Sequence, residues 1–238
     1  MFGFFWWDFT FLIVLPGFLL ALWAQARVRS AYRLGSSQHL RPMMTGANVA
    51  RRILDSNGLS HVTIEMVQGE LSDHYDPRGE VLRLSSAVYH GSNVAAVGVA
   101  AHEAGHALQH KKRYAPLWLR MALVPVCNIG SRLAMPLFLI GLILAYTAPA
   151  MGEWLMLFGI GAYSLAVFFQ LVTLPVEFNA SRRAMRCLAG SGTMSDEELR
   201  GARRVLSAAA MTYVAALAVG LLSVLRLLLI AGSYSRRR

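Results

Sequence analysis

Two long apolar stretches without a charged residue constrain this chain more than any other feature. They are Leu133–Gly152 and Trp154–Leu174, and only Glu153 separates them. Each is long enough to cross about 30 Å of hydrocarbon as a helix that rises about 1.5 Å per residue. Two such helices joined by a short turn enter and leave the membrane on the same side. The sequence therefore predicts a transmembrane hairpin over residues 133–174.

Two further apolar runs lie near the ends of the chain. The first, Phe9–Ala24, lacks the positive charge that begins a signal peptide, so we interpret residues 1–24 as an uncleaved N-terminal transmembrane helix. The second, Val205–Leu225, predicts a C-terminal transmembrane helix within residues 205–238, which end in a basic tail. Together with the hairpin, these runs predict a mainly α membrane protein with about four transmembrane helices.

Basic residues flank the apolar runs and account for a formal net charge of +10. Arginines cluster directly after the first run and after the hairpin: Arg27, Arg29, Arg33, Arg182, Arg183 and Arg186. Cytoplasmic loops beside membrane spans carry such an excess, so we attribute the charge to membrane topology and expect no nucleic-acid partner. The N-terminus, with Trp6 and Trp7 at the interface, is then expected outside. The side of the tail, Arg236–Arg238, stays open, with the outside favoured.

Residues 25–132 are interpreted as a membrane-associated catalytic region, because much of this stretch is polar enough to fold in water. Thr45–Asn57 and Asn93–Lys112 predict helices, each with a capping residue at its start. His61–Val67 and Glu80–Leu84 predict short strands. The second strand is also a candidate for an exposed edge that receives a peptide in extended form.

The second predicted helix of this region carries a motif with chemical meaning, His102-Glu103-Ala104-Gly105-His106. Histidines at positions i and i+4 lie on one face of a helix, so both imidazoles can bind one zinc ion. Glu103 can then act as the general base that takes a proton from water. The alternative is a helix that carries two histidines and a glutamate by chance, but such polar groups on an apolar helix need partners.

A catalytic zinc ion takes a third protein ligand and keeps one position open. His110 lies about 12 Å along the helix axis from His102, which is too far to share one ion. Glu177 follows the hairpin, in a helical segment predicted over residues 175–204, and so returns to the membrane face of the motif helix. We favour Glu177 as the third ligand. The alternative is that it stabilises the first turn of a helix opened by Pro175.

A polar cluster of Asp73, His74 and Asp76 precedes the second predicted strand. These side chains could support a ligand histidine or stabilise an oxyanion, because metal-bound histidines need partners that orient them. Turn chemistry around Pro77 is the favoured alternative.

The chain resembles the YugP-like family of membrane zinc metallopeptidases along nearly its whole length. The stretches that carry the resemblance are LSDHYDPRGEVLRLS, VAAHEAGHALQH and FQLVTLPVEFNASRRA. The order of parts also resembles the broader HtpX and CAAX-protease type. The resemblance implies that His102, His106 and Glu177 bind zinc and that Glu103 is the base. Ser181 and Asn179 stand where aspartates are expected in such relatives, so the partner of a ligand histidine stays open.

These observations predict a small α+β, zincin-like catalytic unit surrounded by the transmembrane helices. The expected activity is that of a zinc-dependent endopeptidase with one zinc ion per chain, which cuts membrane or membrane-proximal polypeptides. The alternative is an inactive membrane scaffold or adaptor that retains the zinc site. The expected partners are a polypeptide substrate and the lipid bilayer, with self-association left open. We expect a bacterial plasma-membrane protein whose active site faces the cytoplasm.

Overall fold

The computed structural model describes residues 9–70 and 72–235. The predictions for Trp6, Trp7 and Arg236–Arg238 lie outside the described residues. Helices dominate, and a small sheet lies between the second and third of them. In chain order, the elements are α1 Phe11–Ser37, α2 Gly46–Ser56, β1 Thr63–Val67, β2 His74–Asp76, β3 Val81–Ser85, α3 Ser86–Tyr89, α4 Val94–Lys111, α5 Ala115–Leu144, α6 Pro149–Gly190 and α7 Asp196–Ser235.

Four of the helices, α1, α5, α6 and α7, are long and apolar enough to cross a membrane. The prediction of a mostly helical chain with four long apolar helices is therefore confirmed. Each helix extends beyond the apolar run from which it was predicted. In particular, α6 continues through Pro175 without a break. Glu177 consequently lies inside a long helix, and the alternative that it occupies the first turn of a new helix is wrong.

The chain divides into two compact units, and each long helix contributes to both. We call Met1–Trp23, Leu119–Thr173 and Thr212–Arg238 the apolar unit. We call Ala24–Trp118 and Leu174–Met211 the sheet unit. The candidate site lies entirely in the sheet unit.

Within the apolar unit, glycines allow α5 and α6 to approach each other closely. A Cβ atom added at Gly159 would lie only 2.7 Å from the carbonyl oxygen of Ala134, and one added at Gly141 only 2.6 Å from the amide nitrogen of Met156. Small residues serve this purpose in membrane helices, where close packing substitutes for a hydrophobic driving force. Large side chains such as Phe158 are exposed, as expected for helices that contact lipid.

Within the sheet unit, the three strands have the order β1-β3-β2. The central strand, β3, is parallel to β1 and antiparallel to β2. Its Leu82 and Leu84 side chains are fully buried. The interpretation of this strand as an exposed edge is therefore wrong, because strands pair with it on both sides. Among the described residues, β1 and β2 form the edges of this sheet. The strand β2 was not predicted because it is only three residues long.

The helix α4 packs into the core of the sheet unit along most of its length. The Asn93 side chain caps it by accepting a hydrogen bond from the Ala96 amide at 2.9 Å. Most of its buried side chains are small, which lets neighbouring elements come close. The buried apolar side chains are Val94, Ala95, Ala96, Val97, Ala100, Ala101, Ala104, Ala107 and Leu108. The few polar residues of α4 therefore stand out from an apolar helix.

Candidate metal centre

His102 and His106 lie on the same face of α4, one turn apart, as the spacing predicts. The centroids of their rings are 4.8 Å apart. Both side chains are mostly buried. Two imidazoles in this arrangement can direct one nitrogen each towards a common point.

The third member of the group comes from α6, more than seventy positions later in the chain. The Oε2 atom of Glu177 lies 3.2 Å from His102 Nε2 and 3.7 Å from His106 Nε2. Glu177 is only 3% exposed. A buried carboxylate is costly unless it is paired or binds a metal. The structure thus brings together three side chains that sequence reasoning had selected as one set.

The donor set fits zinc. Ligand atoms from the three residues all lie within 4.8 Å of one another. In a tetrahedral zinc site with metal–ligand distances of about 2.0–2.1 Å, neighbouring donor atoms are roughly 3.3–3.4 Å apart. The two histidine–glutamate distances lie close to this value. Two imidazoles and one carboxylate also leave the fourth position free, as a catalytic site requires.

A glycine inside the motif explains how α6 comes so near to the histidines. A Cβ atom added at Gly105 would lie 2.6 Å from the carbonyl oxygen of Ala180. That distance is shorter than any ordinary contact, so the two helix backbones can approach this closely only because Gly105 has no side chain. The contact at Ala180 lies one helical turn beyond Glu177 on α6. It therefore fixes the position of the Glu177 carboxylate relative to the two imidazoles.

Glu103 is held beside this group by the sheet. The backbone N–H of Tyr75, in β2, donates a hydrogen bond to Glu103 Oε2 at 3.1 Å. Burial raises the pKa of the Glu103 carboxyl above its ordinary value, although the nearby His106 and His102 oppose this shift. A carboxylate with a raised pKa is a better proton acceptor near neutral pH.

Comparison with known proteins identifies the family of the chain. The chain matches the protein family described as "Putative neutral zinc metallopeptidase" over residues 10–232. The chain belongs to this family. It is also 48% identical over 213 residues to the "Putative membrane protease YugP" of Bacillus subtilis (strain 168), which covers 89% of this chain and 91% of that protein. No solved structure matches the chain.

The family and its named relative, together with the four apolar helices, identify a membrane protein with a possible metal site. The resemblance to YugP-like metallopeptidases that the motifs indicate is thereby confirmed. The residues around the candidate site bear on the roles of its individual side chains.

The polar cluster that precedes β3, formed by Asp73, His74 and Asp76, is not part of the metal group. The Asp73 carboxylate accepts hydrogen bonds from the Ser85 amide at 2.8 Å and from the Ser85 hydroxyl at 3.0 Å. The Asp76 carboxylate accepts one from Arg83 at 3.1 Å. The Nδ1 atom of His74 lies 2.7 Å from a backbone carbonyl oxygen two residues earlier. These bonds stabilise the turn and the sheet, in agreement with the alternative that the cluster serves turn chemistry around Pro77.

Tyr75, which lies between His74 and Asp76, is one of the residues that sequence reasoning missed. Besides its amide bond to Glu103, its hydroxyl lies 3.0 Å from His110 Nδ1. Burial, followed by the charges of Glu80 and Asp76, raises the pKa of Tyr75 to about 12. The ring of His110 also packs against Trp118, with centroids 5.5 Å apart. His110 therefore has partners of its own outside the metal group, as its distance along the helix predicts.

Each candidate ligand histidine has a neutral partner on its second ring nitrogen. His102 Nδ1 lies 3.0 Å from the Ser181 hydroxyl, and His106 Nδ1 lies 2.9 Å from Gln109 Oε1. The question left open by Ser181 thus receives an answer, because its hydroxyl reaches the histidine that an aspartate was expected to orient. No sequence pattern singled out Gln109, although a glutamine one turn after a ligand on an apolar helix is a signal that could have done so.

Proposed function

We propose that the protein is a zinc-dependent endopeptidase, with one zinc ion per chain held by His102, His106 and Glu177. Glu103 is the general base. The observation that carries this proposal is that ligand atoms from two helices meet within 4.8 Å. Membership of a zinc metallopeptidase family supports zinc as the metal and peptide bonds as the target.

The arrangement of α4 and the sheet also supports a zincin-like catalytic unit. The motif helix lies beside a three-stranded sheet, and the backbone of β2 reaches the base through the Tyr75 amide. Fixing the carboxylate from the sheet restricts the positions that it can adopt before substrate binds. Such restriction is one way in which a site lowers the entropic cost of reaching the transition state.

The reaction adds water across the peptide bond. When bound, zinc supplies a Lewis acid that polarises the scissile carbonyl and acidifies water. Glu103 takes a proton from the water whose oxygen attacks the carbonyl carbon. It then delivers this proton to the amine nitrogen as the carbon–nitrogen bond breaks. The hydrogen bond from the Tyr75 amide holds the Glu103 carboxylate in place for both steps.

We also propose that the active site faces the cytoplasm of a bacterial cell whose plasma membrane contains the spans. The arginines at 182, 183, 186, 200, 203 and 204 belong to segments of the sheet unit beside the ends of apolar runs. Such an excess beside spans supports a cytoplasmic side. A site on that side reaches polypeptides in the membrane or close to its surface, and these are the proposed substrates.

The experiment that tests this function separates turnover from metal binding. Wild-type protein and the Glu103→Gln variant are purified in detergent and reconstituted in liposomes. Zinc content is measured by mass spectrometry, and cleavage is measured on a fluorogenic unfolded protein. We expect both proteins to hold about one zinc ion per chain and Glu103→Gln to lose at least about 100-fold in cleavage rate.

The matched control is Glu197→Gln, because Glu197 is an exposed glutamate in the first turn of α7. It should retain both zinc and cleavage. Cleavage at the wild-type rate by Glu103→Gln would contradict the assignment of the base. Full zinc binding without cleavage of any polypeptide by the wild-type protein would favour the inactive scaffold instead.

A further inference from the structure

Gln109 is a polar side chain in an unusual position. It lies three residues after His106 on α4 and is 0% exposed. Burial of an amide costs free energy unless each of its polar groups finds a partner. Both of its N–H groups and its oxygen have partners, and every partner lies either at His106 or on α6.

The orientation of this amide follows from its partners. Gln109 Nε2 lies 2.7 Å from the carbonyl oxygen of Val176, which can only accept a hydrogen bond. The nitrogen of the amide must therefore face Val176, and its oxygen must face His106. Because that oxygen can only accept, the Nδ1 atom of His106 carries the proton. In the neutral ring, His106 Nε2 then carries the lone pair, on the side that faces Glu177.

The second N–H of Gln109 extends the network along α6. It donates to Asn179 Oδ1 at 3.1 Å, and the same oxygen accepts a hydrogen bond from Arg183 Nε at 2.7 Å. Arginine can only donate, so the orientation of Asn179 is fixed as well. The network thus contacts α6 at three positions that lie on both sides of Glu177 along that helix.

We propose that Gln109 is a positioning residue that couples the tautomer of His106 to the placement of Glu177. This inference rests on the proposed zinc site. One amide accepts a hydrogen bond from the histidine N–H and donates hydrogen bonds to the helix that carries the third ligand. A shift of α6 would break its bonds to Val176 and Asn179, whereas loss of the amide would leave the His106 ring free to rotate.

The chemical character of the partner distinguishes this site from one with carboxylate partners. A carboxylate on the second nitrogen raises the basicity of a ligand histidine. Here Gln109 and Ser181 are neutral, so the imidazoles donate less electron density. The ion then keeps more of its Lewis acidity, and its affinity depends on the geometry that these partners impose.

The first test uses Gln109→Met, which keeps a similar volume but removes all three hydrogen bonds. Zinc affinity is measured by competition with a chromogenic chelator, and the coordination geometry is measured from the visible spectrum of the cobalt(II)-substituted protein. We expect zinc binding to weaken about 10- to 100-fold and the cobalt spectrum to shift. A role in packing alone would lower the melting temperature but leave the spectrum of the folded protein unchanged.

A second pair of variants decides the matter if Gln109→Met does not fold. Asn179→Ala removes the acceptor for Gln109 and Arg183, whereas Asn179→Asp keeps an acceptor oxygen in the same place. We expect Asn179→Ala to weaken zinc binding and Asn179→Asp to restore it. Wild-type affinity and an unchanged cobalt spectrum in Gln109→Met, or in Asn179→Ala, would overturn the inference.

The wild-type protein and His106→Ala separate this inference from the proposed function. If the wild-type protein binds no zinc, or His106→Ala binds it at the wild-type level, the proposed site itself fails. If those two behave as expected and Gln109→Met matches the wild type, only the positioning role fails.

Discussion

The apolar unit and the sheet unit are packed with opposite kinds of side chain. In the apolar unit, large hydrophobic residues such as Ile143 and Phe158 are exposed, and glycines mediate the closest helix contacts. In the sheet unit, small apolar residues fill the core around α4, and polar side chains are buried in pairs and networks. Glu177 and Gln109, the most buried polar residues of the candidate site, both belong to the sheet unit.

The difference separates two kinds of constraint on the sequence. Helices in lipid associate through close backbone contact, so the residues that matter there are those that are small. A buried carboxylate or amide matters through its partners, because each lost hydrogen bond leaves a desolvated group behind. Changes in the apolar unit should therefore weaken helix association, whereas changes among the buried polar residues of the candidate site should alter metal binding.

The largest expected effect concerns the two sides of the membrane. Single cysteines are placed at Ser86 in the sheet unit and at Thr147 in the apolar unit, both exposed, on a background without Cys127 and Cys187. We expect an impermeant thiol reagent to label position 147 in intact cells and position 86 only after the cells are opened. Thr147 is preferred to Gly152 because a Cβ atom added at Gly152 would lie 2.5 Å from a backbone nitrogen.

Labelling at position 86 from outside intact cells, with none at position 147, would reverse the proposed orientation. It would also contradict the inference that the arginine-rich segments lie on the cytoplasmic side.

The next largest effect is expected from Gly105→Ala. The new methyl group would meet the Ala180 carbonyl oxygen at 2.6 Å, so α4 and α6 must separate and carry Glu177 away from the histidines. We expect a loss of about 1–3 kcal/mol in stability and zinc binding at least about 10-fold weaker, measured by chelator competition. The matched control is Gly98→Ala on the same helix, where the nearest atom lies 3.8 Å away and zinc affinity should not change.

Gly159→Ala makes the corresponding change in the apolar unit. Its methyl group would lie 2.7 Å from the Ala134 carbonyl oxygen, again a backbone atom. We expect a similar destabilisation of about 1–3 kcal/mol, seen as a lower melting temperature in detergent, without a change in zinc affinity of the folded protein. Equal losses of zinc affinity in Gly105→Ala and Gly159→Ala would remove the distinction between the two units.

The smallest effect is expected from Asp76→Asn, which removes a surface ion pair of the sheet unit. The pKa of Asp76 is lowered by the Arg78 amide and then by Arg83. A carboxyl group whose pKa is lower in the folded state stabilises the protein above its unfolded pKa of about 3.9 and loses that effect as the pH falls. The variant should lose about 0.2–1 kcal/mol near pH 7, and thermal unfolding should show the difference vanish towards acid pH.

The sequence allows the two units to be predicted to different depths. Charge-free runs predict the long helices, because a bilayer imposes one length and one composition. The spacing of His102, Glu103 and His106 predicts a shared face, because helix geometry is local. Glu177 could be selected because it follows the hairpin and so returns to the membrane face of the motif helix. The sequence did not predict that α6 continues through Pro175, because surrounding packing can overcome the preference of proline to end a helix.

The contact between His102 and Ser181 could not be predicted, because it depends on the distance between two helix backbones. Gln109 contacts His106 within α4, but its other partners, Val176 and Asn179, lie on α6. The contacts that join α4 to α6 depend on Gly105, which lets the two helix backbones come close. The amide of Tyr75 reaches Glu103 for a similar reason, since it depends on a strand of three residues that local patterning does not reveal.

The central claim is that His102, His106 and Glu177 hold one zinc ion, and the zinc content of Glu177→Ala tests it most directly. The variant is compared with the wild type and with Glu197→Ala, which changes an exposed glutamate on α7. We predict about one zinc ion per chain in the wild type and the control, and little or none in Glu177→Ala that remains folded by circular dichroism. Full zinc occupancy in folded Glu177→Ala would contradict the account.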